Sequence, residues 1–272
     1  MARKLFCEIS PFTFRISIAR LIMKRNLTDA FSKFRFAKEK QEEKLPVLIY
    51  SYNSLIRRRL GNVDMELQNN KAVNLAIAAP KVNHVIIRTG ETFSFWKLVG
   101  KTNSERGYKE GLTISNGKTT AGIGGGMCQF TNLIHWMVLH TPLEIVEYNH
   151  HDRFDLFPDY NRQVPFGTGT SVSYNYLDYR FYNPTDMTFQ LIVYTTEEYL
   201  CGELRADKEL PYSYHIKVKD EHFVKEENGI FRCGEVYRSI SDRATGNLIK
   251  EELIKTNHAL VMYDIDPDKV SI

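Results

Sequence analysis

The chain has 272 residues, of which 43% are hydrophobic and 25% are charged. This is enough apolar material for a folded core, and the charge content is that of an ordinary globular protein rather than a disordered one. The 36 basic and 33 acidic residues give a formal net charge of +3, which argues against a strongly cationic nucleic-acid-binding protein. No stretch approaches the roughly 18 apolar residues of a membrane-spanning helix.

The first 60 residues are strongly basic, in contrast to the rest of the chain. They contain 14 Lys and Arg residues against 5 Asp and Glu, a local charge of +9, whereas residues 61–272 carry −6. Two interpretations fit this segment: a solvated basic segment, and a segment that makes peripheral contact with an anionic membrane surface. The basic run Arg57-Arg-Arg59 is short and no recognised module accompanies it, so we expect no nucleic-acid partner.

The beginning of the chain and its cysteines predict a cytoplasmic protein. Glu8, Arg15 and Arg20 interrupt the apolar stretch that a secretory signal peptide would need. The four cysteines are scattered and form no CxxC pair, so we predict free thiols in a reducing compartment rather than a disulfide framework. The sequence predicts no metal site and no cofactor.

The N-terminal third is predicted to begin with helices. Apolar residues at helical spacing predict two helices within residues 11–40, with a break at Asn26 and with Thr28 or Asp29 capping the second helix. Residues 47–60 are less regular, and their apolar start is typical of a strand or an extended arm.

The central part of the chain combines helices with a glycine-rich loop. A helix is predicted over residues 64–79, ended by Pro80, and a strand follows over residues 84–88. Residues 100–126 are rich in glycine, serine and threonine, which predicts a loop with short strands. This loop leads directly into the clearest predicted helix, over residues 128–140.

The second half of the chain is predicted to be mostly strand. A half-buried strand over residues 143–148 is followed, from residue 164 onward, by strands separated by turn residues. The fold class is therefore α+β, with N-terminal helices, a central α+β unit and C-terminal antiparallel β-hairpins. The corresponding segments are a basic N-terminal helical segment (1–60), a central α+β domain (61–206) and a C-terminal β-hairpin extension (207–272).

The most informative motif is Gly124-Gly-Gly-Met-Cys-Gln129. Its glycines, Gly124, Gly125 and Gly126, permit unusual backbone angles and let a ligand or another backbone come close. Cys128 then lies at a helix start, where unpaired N–H groups and the helix dipole favour the thiolate and hence a nucleophile. A lone cysteine at such a position is also typical of a small buried hydrophobic residue, and both interpretations stay open.

The elements after Cys128 predict where a base for it would come from. The helix rises by roughly 20 Å and the strand that returns toward His150 spans roughly 23 Å, which brings His150 and His151 back to the level of the cysteine. Strand alternation points the two rings to opposite faces, and we assign His151 as the base. Adjacent histidines in a loop are also commonly solvated, and they rarely bind one metal ion together.

In this region the sequence resembles the VanW family. The similarity covers roughly residues 65–205, and the matching stretches are Gly90-Glu-Thr-Phe-Ser-Phe-Trp-Lys97, Tyr108-Lys-Glu-Gly-Leu-Thr113, Asn116-Gly-Lys118, the motif around Cys128, and Asn132 through His140-Thr-Pro-Leu143. The resemblance implies an accessory role in glycopeptide (vancomycin) resistance, a form of antibiotic resistance, or in cell-wall peptidoglycan metabolism. It implies a peptidoglycan precursor or a cell-wall enzyme as partner, and it supplies no reaction.

One position departs from the family pattern. The family usually carries Gly-x-Asp-Ala-Thr after the histidines, whereas this chain has Gly167-Thr-Gly169-Thr-Ser171, so Gly169 stands where the acid would be. An acid that orients the histidine would then come from another position. The remaining acids nearby are Asp152, Asp155 and Asp159.

Three functions compete. A thiol-dependent hydrolase or transferase of amide bonds would use Cys128 as nucleophile, His151 as base, and the N–H groups of Gln129 and a preceding glycine as the oxyanion site. A glycan-cleaving enzyme would use Glu91 as the acid in a partly apolar setting, although a carboxylate that closes a turn is the simpler interpretation. A binding module would hold a precursor or partner without chemistry. The predicted substrate-binding residues are Gly124, Gly125, Gly126, Gln129, Ser94 and His150.

Overall fold

A computed structural model describes residues 5–58, 64–115, 118–150, 153–159 and 164–271. Its α-helices are α1 (Pro11–Phe31), α2 (Met65–Val82), α3 (Phe95–Val99) and α4 (Met127–Val138). Its strands are β1 (Arg35–Phe36), β2 (Val47–Leu55), β3 (Val85–Ile87), β4 (Glu91–Ser94), β5 (Glu110–Ser115), β6 (Lys118–Ile123), β7 (Glu144–Glu147), β8 (Phe154–Asp155), β9 (Arg180–Tyr182), β10 (Phe189–Thr195), β11 (Tyr199–Ala206), β12 (Tyr212–Glu226), β13 (Gly229–Asp242), β14 (Leu248–Val261) and β15 (Val270–Ser271).

The strands of the described residues form three larger sheets and the separate hairpin β5–β6. Their orders are β1-β4-β9-β7, β2-β11-β10-β3 and β15-β12-β13-β14-β8. The long strands β12, β13 and β14 pair antiparallel, as the turn pattern predicts. The predicted α+β fold with C-terminal antiparallel strands is therefore confirmed.

Helix α4 packs in the centre of the protein against the sheet that contains β2 and β11. Leu133, Ile134 and Met137 have no measurable exposure. The helix approaches the sheet closely at Gly202 in β11, where a Cβ atom would lie only 2.7 Å from side-chain atoms of Leu133 and Met137. A glycine at this position is what allows the two elements to come so close.

The predicted helix break at Asn26 is wrong. Helix α1 continues to Phe31, and Asp29 lies inside it rather than at a cap. Its carboxylate accepts hydrogen bonds from Nη1 and Nη2 of Arg180 at 2.7 and 2.9 Å and lies 3.0 Å from Nζ of Lys97. Because this buried ion pair holds the last turn of α1 on the body of the protein, tertiary contact decides the conformation rather than local capping preference.

Other local predictions also change. Pro80 does not end α2, which runs to Val82. The strand pattern after residue 164 predicts strands over residues 171–176, 212–218 and 222–225. Residues 171–176 are not a strand, and the other two segments belong to the single strand β12, which has an irregularity between Lys219 and His222. Residues 47–55 are a strand, and their pairing with β11 makes them part of a sheet of the central region. The division of the chain at residues 60 and 206 stays a prediction.

The length and apolarity of a helix decide whether it can cross a membrane. Among the helices that the structure describes, none is long and apolar enough to cross a membrane.

Replacing Leu133 by Ala is expected to lower the free energy of unfolding by about 2–5 kcal/mol, because the side chain is fully buried and the helix and sheet cannot collapse onto the space it leaves. Urea denaturation followed by circular dichroism measures this change. Leu248→Ala is the matched control, since that leucine is 60% exposed. A loss below about 0.5 kcal/mol for Leu133→Ala would contradict the packing described above.

Candidate functional site

The glycine loop before α4 is held in place by Asn74 of α2. Nδ2 of Asn74 donates to the carbonyl oxygens of Gly125 and Lys109, both at 2.9 Å, and its Oδ1 accepts from the Lys109 N–H at 2.7 Å. A Cβ atom on Gly125 would lie 2.5 Å from the carbonyl oxygen of Gly111. Asn74 is fully buried, and no motif in the sequence distinguishes it from other polar residues of a helix.

Two of the glycines adopt backbone angles that other residues avoid. Gly124 and Gly126 have φ values of +80° and +109°, as the prediction of an unusual loop requires. Gly126 is the residue before α4, and no side chain caps this helix. The first N–H groups of α4 therefore receive no acceptor from the residue that caps the helix.

Cys128 lies on the face of α4 that contacts residues 167–172. Oδ1 of Asn132, one turn further on, accepts hydrogen bonds from the N–H and the hydroxyl of Thr170 at 2.5 and 2.8 Å. The hydroxyl of Thr131 lies 2.5 Å from the same Thr170 hydroxyl. The same Thr170 hydroxyl also donates to the carbonyl oxygen of Cys128 at 3.4 Å. This segment therefore covers one side of the cysteine.

The predicted lowering of the pKa of Cys128 is wrong. The side chain is half-buried, and burial raises the pKa of its thiol, although hydrogen bonds from the backbone of Val172 and from its own N–H oppose the shift. The helix start does supply donors, but removal of the sulfur from water outweighs them. Cys128 is a neutral thiol at pH 7.

His150 lies on the same side of the protein as Cys128. A Cβ atom on Gly169 would be 2.9 Å from Nε2 of His150 and 3.8 Å from Oδ1 of Asn132. The imidazole thus occupies the space beside Gly169, one helical turn from Cys128. A larger side chain at position 169 would need the ring to shift, so the glycine that departs from the family pattern is what admits His150 here.

A second histidine lies behind this surface. His135 is buried, and burial, with a smaller effect from His150, lowers its pKa to about 3. Its Nδ1 is 3.1 Å from the hydroxyl of Tyr179, and its ring stacks on Tyr148. His135 is therefore neutral at pH 7 and belongs to the core.

The C-terminal sheet supports the segment that covers Cys128. Nδ2 of Asn257 in β14 donates to the carbonyl oxygen of Phe166 at 3.1 Å, and its side chain fills the space beside Gly167, whose φ is +86°. The hydroxyl of Tyr148 donates to the carbonyl oxygen of Gly169 at 2.7 Å. Residues beyond 206 thus help to shape the site, which no sequence motif indicates.

Other predicted site residues have structural contacts. Oε2 of Glu91 accepts from the N–H of Arg88 at 2.8 Å, which is a turn contact. The hydroxyl of Ser94 is fully buried and donates to Asp178 at 2.5 Å. Nε2 of Gln129 donates to the Ser54 hydroxyl and the Leu55 carbonyl oxygen in β2, at 2.9 and 2.8 Å.

His151, the predicted base, lies outside the described residues, and so does Asp152. Asp155 and Asp159 contact Arg232 at 3.2 and 2.7 Å. Within the described ranges, no group of three His, Cys, Asp or Glu side chains is placed to hold a metal ion.

Comparison with known proteins identifies the family. Residues 70–205 match the family described as VanW like protein. The vancomycin B-type resistance protein VanW of Enterococcus faecalis is 36% identical over 231 residues, which are 85% of this chain and 83% of that protein. The chain belongs to the VanW family. The Bacillus subtilis protein YoaR is 31% identical over 114 residues, 42% of this chain and 36% of its own length. No solved structure matches the chain.

The part that matches the VanW family contains the elements that build the site. It includes Asn74, the glycine loop, Cys128, His150 and the segment with Gly169. Asn257 lies outside the matched range, so the support from the C-terminal sheet comes from beyond the VanW region.

Alkylation of Cys128 by iodoacetamide at pH 7 is expected to be slower in the folded protein than in the urea-unfolded protein, because the buried thiol resists ionisation. In the folded state the rate should continue to rise above about pH 8.5, the ordinary pKa of a cysteine. Peptide mapping by mass spectrometry gives the rate at each cysteine. A folded rate that exceeds the unfolded one, or that levels off below pH 8, would show a stabilised thiolate instead.

Proposed function

We propose that this protein acts in glycopeptide resistance as an accessory protein that binds a peptidoglycan precursor or a cell-wall enzyme, without carrying out chemistry on it. The contact would be made by five partly exposed residues, the Cys128 surface: Gly126, Cys128, Gln129, Asn132 and His150. The name of the Enterococcus relative, a vancomycin B-type resistance protein, supports a role in glycopeptide resistance. The geometry of the surface supports binding.

The donors of this surface suit the carbonyl and carboxylate oxygens of a peptide. The start of α4 has no side-chain cap, so its first N–H groups can donate to a ligand. Oδ1 of Asn132 is occupied by Thr170, whereas its Nδ2 makes no hydrogen bond with the residues that the structure describes. The raised pKa of Cys128 is the single observation that favours binding over catalysis, because a neutral thiol is a poor nucleophile.

One observation favours thiol chemistry as the second candidate. His150 lies beside Gly169 and Asn132, one turn of helix from Cys128, so an imidazole is present on the same surface. In that case Sγ would attack an amide carbonyl carbon while a histidine accepts the thiol proton, and the amine would leave with that proton. His151 stays the predicted base. The turn contact of Glu91 gives no comparable support to glycan cleavage.

Titration calorimetry with a soluble stem-peptide fragment of peptidoglycan tests the first proposal. Wild type should bind, Cys128→Ala should bind within about threefold of wild type, and Cys128→Phe should bind at least about tenfold more weakly because the larger ring blocks the surface. Cys7→Phe is the matched control and should bind as wild type, since that cysteine is partly exposed and outside the surface.

The same samples distinguish the two candidates. Mass spectrometry should find the fragment unchanged after incubation with wild type. New products that disappear with Cys128→Ala would replace the binding proposal with the thiol mechanism. Absence of binding, or full affinity in a folded Cys128→Phe protein, would overturn the proposed surface.

The N-terminal helix favours contact with a membrane surface. Phe12, Ile16, Met23 and Leu27 share one face of α1 and are 71, 42, 60 and 54% exposed. Arg20 and Lys24 lie beside this apolar stripe, and α1 has no acidic residue before Asp29. An apolar stripe flanked by cations is typical of a helix that lies on an anionic membrane.

The double substitution Phe12→Ser and Met23→Ser is expected to reduce sedimentation with phosphatidylglycerol vesicles, because it removes two apolar anchors from the stripe. Leu248→Ser with Ile249→Ser is the matched control, since these side chains are 60 and 59% exposed at the start of β14. Phosphatidylcholine vesicles should bind the wild type more weakly. Equal sedimentation of both double variants would contradict the role of α1.

A further inference from the structure

A buried lysine lies beside the glycine loop, and the proposed function gives this side chain no role. Lys71 of α2 is 6% exposed. Its aliphatic stem covers Gly126, where a Cβ atom would be 2.5 Å from Cγ of the lysine. The absence of a side chain at position 126 therefore makes room for the lysine next to the uncapped start of α4.

The polar groups around Lys71 are incompletely paired. No hydrogen bond or ion pair joins Nζ of Lys71 to another residue that the structure describes. Gln68, one turn earlier on α2, is fully buried. Its Oε1 accepts from the N–H of Arg58 at 3.4 Å, whereas its Nε2 has no hydrogen-bond partner among the described residues. A buried amide donor without an acceptor is costly and calls for a ligand or an ion.

The charges around Lys71 are all positive. Burial is the main cause that lowers the pKa of Lys71 to about 7, and the charges of Arg58 and Arg57 lower it further. No carboxylate among the described residues offsets them. The helix dipole at the start of α4 adds positive potential in the same place. The cluster thus combines cations and a free amide donor without a negative partner.

We propose that Lys71, Gln68 and Arg58 form a binding site for an anionic group, either a phosphate ester or a carboxylate. Nζ of Lys71 and the guanidinium of Arg58 would supply the charge, and Nε2 of Gln68 would donate the hydrogen bond that it lacks. An anion beside the first turn of α4 would also accept from the N–H groups there. Its side chains differ from those of the Cys128 surface, although both sites share Gly126 and the first N–H groups of α4, and the proposal does not depend on the proposed function.

Titration calorimetry with inorganic phosphate and with acetate, at constant ionic strength set by chloride, tests this proposal. Wild type should bind at least one of the two anions saturably. Lys71→Met should weaken binding at least about tenfold while its stem still covers Gly126. Lys81→Met is the matched control on the same helix, because Nζ of Lys81 is occupied by Val99 O and the Tyr108 hydroxyl, and it should leave binding unchanged.

A second variant keeps the test decisive if Lys71→Met does not fold. Gln68→Glu places a carboxylate in the cluster, so it should abolish anion binding and raise the melting temperature in the absence of phosphate. Tighter binding of phosphate than of acetate would identify a phosphate ester, and the reverse would identify a carboxylate. No saturable binding by wild type, or unchanged binding by Lys71→Met and Gln68→Glu, would overturn the site. The Cys128 surface is tested by a different measurement, the stem-peptide titration, so a failure of phosphate and acetate to bind would not overturn it.

Discussion

The buried guanidinium of Arg180 is the interaction on which much of the fold depends. It is 2% exposed and contacts Asp178 at 2.7 Å, Asp29 at 2.7 Å and Glu147 at 3.6 Å, which joins β9 to α1 and β7. Asp178 in turn accepts hydrogen bonds from Ser94 and Trp96. Loss of one partner from such a buried network typically costs about 3–5 kcal/mol because the other charge is left uncompensated. Ser94, which lies in one of the stretches that resemble the family, therefore takes part in this buried network.

The site depends on a second constraint, which is the close approach of separate segments around the start of α4. Asn74 holds the glycine loop from one side, and Thr170 binds Asn132 from the other. Asn257 of the C-terminal sheet then fixes the segment that contains Thr170. Each contact uses a backbone group or a small residue, because a glycine or threonine leaves room where a larger side chain would not fit. The surface around Cys128 is thus produced by three regions that are distant in sequence.

The sequence predicts the parts of this arrangement that follow from local patterns. The helix after the glycines, the unusual φ values of Gly124 and Gly126, and the late hairpins all come from spacing and turn residues. The continuation of α1 past Asn26 was not predictable, because it depends on Arg180, about 150 residues further on. The roles of Asn74, Asn257 and Lys71 were missed for the same reason, since burial of a polar residue is a tertiary property. The place of His150 beside Gly169 agrees with the length argument for the returning strand.

Burial also decides the chemistry at both sides of the glycine loop. A helix dipole contributes about 0.3–1 kcal/mol at an exposed position, which is less than the cost of ionising a buried group. For Cys128 the result is a neutral thiol, and for Lys71 it is an amine that is protonated less readily than in water. An anion bound at Lys71 would favour the charged lysine and at the same time oppose a thiolate on the neighbouring first turn of α4. An anion in the cationic cluster would therefore oppose nucleophilic use of Cys128 electrostatically. This opposition and the neutral thiol both favour recognition over catalysis.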